Sequence, residues 1–217
     1  MQPDKPRSVL DLDLRTLMRL ATQTAGLAED VFDRTLLALA GGDGAALAEL
    51  DRRRGMLAAD KARIAAEVVR ILATRHTVAG DLRFVLAIDR VVRDLDRIGA
   101  CCLTIGRHLA ELAEAGGAPK KAAARIDRRA RQVRDQLKLA LDALIARNAG
   151  RAADLRDAIA PSDADPDFEA LVGEISAGGC APAAGAQLLA IVNELDAIAV
   201  LVRALAEHVL FWIRGRR

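Results

Sequence analysis

Tyrosine is absent from this chain, and aromatic residues make up only 2% of it, four Phe and one Trp. That scarcity argues against an all-β fold, which draws on aromatic and β-branched runs. It also argues against a nucleic-acid surface built on base stacking. A surplus of one charge is missing too: 32 Lys and Arg stand against 30 Asp and Glu, for a formal net charge of +2. No strong field is therefore offered to a polyanion, and no nucleic-acid partner is expected. Cysteine is sparse and odd in number, with Cys101, Cys102 and Cys180 in no C-x-x-C and no metal-ligand spacing. This excludes a disulfide framework and reads as free thiols in a reducing cytosol. Charge interrupts every apolar stretch and no signal peptide is visible, so no transmembrane helix and a cytoplasmic location are expected. Residues 1–13 are polar, with two prolines, and read as a flexible tail. No nucleophile–base constellation, Gly-rich phosphate loop or G-x-S-x-G occurs, so catalysis is not expected. His76, His108 and His208 are scattered, form no H-x-x-x-H pair, and read as structural.

What is present is helix-forming and repetitive. Hydrophobic residues reach 52%, with Ala and Leu prominent, ample for a core. Phe84, Ile88, Val91, Leu95, Ile98, Cys102, Ile105, Leu109 and Leu112 step by four and three, the spacing of one buried stripe on a long helix. One hundred positions later Ala184, Leu188, Ile191, Leu195, Ile198, Val202, Leu205, Val209 and Trp212 repeat the pattern. The flanks repeat as well, Asp94-Leu95-Asp96 against Glu194-Leu195-Asp196. The fold class predicted is all-α, two tandem three-helix bundles of six long helices related by an internal repeat.

The helices are placed at about residues 14–40, 45–74, 78–115, 121–147, an interrupted fifth at 155–175, and 183–214. Gly41-Gly42 stops the first, Asp43 is a candidate cap for the second, and Thr77 a candidate cap for the third. Gly116-Gly117-Ala118-Pro119 is the clearest break, so the halves are 14–117 and 118–217. Short joints force antiparallel neighbours within each half.

Three stretches invite a functional reading. Asp81, in the opening turn of helix three, suits the helix dipole, and with Arg83 it forms a polar corner. Lys120, Lys121, Arg125, Arg128, Arg129, Arg131 and Arg134 crowd the start of helix four. They read as a solvated face partly paired with Asp127 and Asp135, the alternative being an acidic partner or an anionic membrane surface. The terminal His208–Arg217 stretch holds Trp212 on the seam, which favours core packing over a membrane or dimer contact. Asp89 with Arg93, and Arg90 with Asp94, are spaced as ordinary surface pairs.

Thr74-Arg75-His76-Thr77-Val78-Ala79-Gly80-Asp81-Leu82-Arg83, followed by Leu95-Asp96-Arg97-Ile98-Gly99, resembles the PhoU family pattern R-Q-P-V-A-x-D-L-R and L-E-R-I-G-D. Leu195-Asp196-Ala197-Ile198-Ala199 and the apolar end are similar to that family's second repeat, with Ala197 where the family has Arg. The resemblance implies two three-helix bundles, a homodimer, and negative regulation of phosphate uptake. Its implied partners are the ATPase subunit of a phosphate ABC transporter and a sensor kinase, with possible peripheral membrane contact. Partner contact is assigned to Asp81, Arg83, Asp96 and Arg97.

The family also carries E/D-x-x-x-D pairs on two helices of each bundle, which place two carboxylates on one face and build a metal site. Here Ala100 follows Asp96, Val200 follows Asp196, and the matching helix-two stretch Arg54–Ala58 has no carboxylate. Asp165 and Glu169 alone keep the spacing. No cofactor is expected in the first half. In the second, Asp165, Glu169 and Asp196 could at most hold one weakly bound iron, zinc or manganese ion. The plain alternative for Asp96 and Asp196, preferred here, is a solvated flank beside the seam. Functionally, the leading reading is a docking adaptor for phosphate transport. The alternatives are a diverged adaptor for another transporter, a carboxylate-rich metal-binding bundle, or a purely structural helical dimer.

Overall fold

The computed structural model of the chain describes residues 8–41, 45–159 and 166–215. Seven helices run through them: α1 (Val9–Leu39), α2 (Ala45–Thr74), α3 (Ala79–Glu114), α4 (Lys120–Ile145), α5 (Ala149–Ala158), α6 (Pro166–Ser176) and α7 (Pro182–Arg214). No strand occurs among the described residues, and the fold is an all-α bundle. The interrupted fifth segment is two short helices, α5 and α6, giving seven in place of the six expected. The proposed cap Asp43 lies outside the described residues.

The first helix starts earlier than its composition suggested. Ser8 Oγ accepts the Asp11 N–H at 3.1 Å and caps α1, so helix replaces tail from Val9. Asp13, also assigned to the tail, accepts from Arg70 Nη2 at 2.6 Å and Arg75 Nε at 2.7 Å. These bonds pin the start of α1 to the end of α2. Thr77 does not cap α3: Val78 is the extended residue at the cap, with no side-chain bond, which leaves the Thr77 hydroxyl one residue too far back. Gly116 and Gly117 take φ of +99° and +81° and reverse the chain between α3 and α4. Between α4 and α5, Arg147 holds φ +51° and Asn148 caps the next helix, its Oδ1 accepting the Arg151 N–H at 3.0 Å.

Both seams lie inward. Every seam residue is buried except Leu109 and Trp212, which are partly so and still pack on the core. In α2 the seam is Leu50, Leu57, Ile64 and Ile71, all fully buried at seven-residue spacing. At Gly99 a Cβ would come within 2.5 Å of Leu57 Cδ1, so glycine is what lets α2 approach α3 there. α3 packs on α1 and α2 to one side and on α7 to the other, and α7 in turn packs on α4 and α5 and lightly on α6. The α3–α7 face is the most extensive in the molecule, and α1 also meets α4. The buried side chains of both halves form one continuous core.

Candidate functional site

The two seams carry a polar ladder between them. Asp94 Oδ2 lies 3.0 Å from His208 Nε2, and His108 Nδ1 lies 2.7 Å from Gln187 Oε1. Between these, the Cys101 thiol lies beside the Glu194 carboxylate. Positions rise along α3 as they fall along α7, so the helices run antiparallel and the rungs join the two halves. A fourth link is Arg134 on α4, whose Nε and Nη2 donate to the two Asp33 oxygens on α1 at 2.8 and 3.2 Å.

The Asp94–Arg97 turn distributes its side chains in three directions. Leu95 enters the core and Asp94 faces α7. Asp96 is only 6% exposed and faces α2, where Lys61 Nζ donates to its Oδ2 and Arg54 Nη2 lies 3.9 Å from its Oδ1. A carboxylate so removed from water needs a counter-charge, and two cations of α2 supply it. The solvated flank expected at Asp96 is therefore a buried ion pair. The expected Arg90–Asp94 surface pair is also absent. The Arg90 guanidinium lies over the Phe211 ring at 5.0 Å, while Asp94 has His208 and, at 3.5 Å, Arg97. Asp89 and Arg93 do pair, at 2.9 Å. Arg97, with a side chain 69% exposed, is the one of the four partner-contact candidates that is open to solvent.

Asp81 stands in the first turn of α3, half-buried. Arg83 turns away from it and packs against the end of α7, where a Cβ on Gly215 would meet its guanidinium at 3.3 Å. Its Nε is shielded from water with no hydrogen-bond partner. The corner thus buttresses α7, with Val78 and Leu82 exposed beside it. Trp212 packs on Phe84 at 4.9 Å and is covered by Arg147 at 5.2 Å, as expected of a seam residue.

In the second half, Asp196 is flanked by α4. Arg129 Nη2 and Nε both donate to Asp196 Oδ1, at 2.6 and 3.1 Å, and both side chains are 17% exposed. The solvated flank expected here is again an interhelical pair. Glu169 is exposed on α6, and Asp165 lies outside the described residues. Among the described residues, no three His, Cys, Asp or Glu side chains gather as a metal site would require. The described residues do not fit a carboxylate-bridged metal. Asp96 and Asp196 already face cations, and Ala100 and Val200 offer no oxygen one turn on.

The basic start of α4 is largely spent on internal pairs: Arg125 with Glu174, Arg129 with Asp196, Arg131 with Asp127 and Arg134 with Asp33. Beside it lies a cleft of about 350 Å³, lined by Lys120, Lys121, Leu171, Ile175, Cys180 and Leu188 among others. Lys61, Arg54 and Arg129 were not singled out as partners of the repeat carboxylates by spacing. The available signal was that Lys61, Arg129 and Asp196 have no opposite charge three or four positions away on their own helices.

Residues 21–109, which cover most of α1 and all of α2 and much of α3, match the family model described as the PhoU domain. Two curated relatives are each named phosphate-specific transport system accessory protein PhoU homolog. That of Rhizobium meliloti is 29% identical over 153 residues, covering 69% of this chain and 63% of the relative. That of Pseudomonas aeruginosa is 32% identical over 155 residues, covering 69% of this chain and 62% of the relative. The chain thus spans less than two thirds of the length of these relatives. The crystal structure of PhoU from Pseudomonas aeruginosa superposes with a TM-score of 0.86 at 24% identity, covering 95% of this chain and 99% of that one. The phosphate transport system regulatory protein PhoU from Streptococcus pneumoniae gives 0.83 at 21% identity, covering 95% and 98%.

Proposed function

We propose that this chain, which belongs to the PhoU family, is a non-catalytic accessory regulator of phosphate uptake and phosphate signalling. It acts as a docking adaptor between the ATPase subunit of a phosphate ABC transporter and a sensor kinase. The observation that carries the reading is the match of α1–α3 to the PhoU domain, joined to a likeness of fold over 95% of the chain. The names of the curated relatives support the phosphate transport system as the partner kind. The body is suited to docking rather than chemistry. Its polar groups lock helices together, and no helix among the described residues is long and apolar enough to cross a membrane. Docking would act by favouring one conformation of the partner over another. The proposed contact face is the opening of α3, where Val78 and Leu82 are exposed, together with the exposed Arg97 about four turns farther along the same helix. Assembly as a homodimer, and peripheral contact with a membrane through the transporter, belong to the same proposal.

Co-purification tests it. The tagged chain is expected to retain the ATPase subunit of its host's phosphate transporter, and a double change, Leu82→Asp with Arg97→Glu, is expected to weaken capture at least several-fold. Capture of another transporter's ATPase, with neither the phosphate ATPase nor the kinase bound, would establish the diverged-adaptor reading instead.

A further inference from the structure

We propose that the two repeat-related carboxylates, Asp96 and Asp196, are held by cations of the protein's own side chains in place of metal, so that the fold needs no ion. The family reading enters only in marking these two positions as ones where a metal would be looked for.

The first half shows the arrangement most fully. Asp96 is buried on α3, and the Lys61 ammonium sits on its Oδ2. Arg54 stands 3.9 Å from the other oxygen, which has no hydrogen bond of its own. A divalent cation there would have to displace the ammonium and sit beside a guanidinium, with one carboxylate as its sole anionic ligand. The next turn of α3 offers Ala100. Hard cations need several oxygens, so the balance favours the lysine. In the second half Asp196 on α7 receives two bonds from the Arg129 guanidinium. The next turn there offers Val200, which is 58% exposed.

The cations come from different places in the two halves, α2 in one and α4 in the other. This follows from packing: α2 packs extensively on α3, whereas α6 touches α7 only lightly and leaves α4 among its close neighbours. The same carboxylate position has been closed by whichever helix was at hand. Each pair ties two helices together, the mechanical task a bridging ion would perform.

The test uses the whole chain. Protein dialysed against chelator is offered zinc, manganese and ferrous iron separately, desalted, and assayed for metal by elemental analysis, with thermal melting alongside. The expected result is no stoichiometric metal and an unchanged Tm with or without chelator. Lys61→Met and Arg129→Met are each expected to lower Tm by about 3–8 °C. Lys61→Met combined with Asp96→Asn should lower it less than the two single changes summed, and Lys61→Arg should restore most of the loss. Near one metal per chain, lost on Asp96→Asn or Asp196→Asn, would overturn the proposal, as would additive effects in the double variant. The metal assay on the unaltered chain decides even if a variant does not fold. It is also independent of transporter binding, so the proposed function and this inference can fail separately.

Discussion

Cys101 and Cys102 are neighbours in sequence whose side chains turn to different helices. Cys101 turns to Glu194 on α7, and its thiol is pushed up to about 12 by burial first, and then by the hydrogen bond and charge of that carboxylate. Cys102 lies fully buried against Thr35 of α1, and burial pushes it up to about 12 as well. At mildly alkaline pH neither forms appreciable thiolate, the reactive species. Cys180 lies partly exposed at the cleft beside α4. A thiol-specific reagent is therefore expected to modify one thiol quickly in the native protein and three after unfolding, with the fast phase absent in Cys180→Ser. Two fast native thiols would show that the α3–α7 face opens. Free thiols were legible from the odd count and spacing. The surroundings of each were not, because they depend on which helix a neighbouring position faces.

At the scale of elements, the corner between α1 and α2 makes its own prediction. Asp13 is held below the usual carboxylate range, first by hydrogen bonds from Arg70 and then by those from Arg75. Glu67 is lowered in the same way by Arg70. A carboxylate depressed in the folded state stabilises above its unfolded value, and the contribution is lost as pH falls below about 4. Asp13→Asn is expected to lower Tm at neutral pH, and the gap to the unaltered chain should close on acidification. A gap that widened with acid would contradict the pairing. This corner was misread as tail because Asp13 pairs with residues 57 and 62 positions away, which no local pattern reveals. The long helices were legible because their seams are continuous. The break in the fifth was legible from its two prolines, but its start was placed at 155 where α5 begins at Ala149, because that first turn carries no apolar seam. Asp96 and Asp196 were misread for a third reason: helical spacing gives the face of a residue but not the charge of the helix opposite. Lys61 and Arg129, with no acidic residue three or four positions away on their own helices, were the visible trace of those pairs.

For the whole molecule, the repeat suggested two bodies, whereas the buried side chains form one core across both halves. Denaturant unfolding is therefore expected to be a single transition, with circular dichroism and Trp212 fluorescence coincident. Leu95→Ala and Leu195→Ala, both at fully buried seam positions, should each cost about 2–5 kcal/mol and shift that one transition. Two separated transitions, one sensitive to each substitution, would mean the halves fold alone.

The bonds from Asp13 to Arg70 and Arg75 set the opening of α1 beside the close of α2, and Arg83 against Gly215 sets the opening of α3 beside the close of α7. Both ends of the described chain therefore emerge at one pole, while the Gly116-Gly117 turn lies at the other. Chain order becomes separable from architecture. A circular permutant that begins after Gly117, with Gly215 joined to Ser8 by a flexible linker of about 10–20 residues, should refold to the same helical content. The two halves would then be synthesised in reverse order.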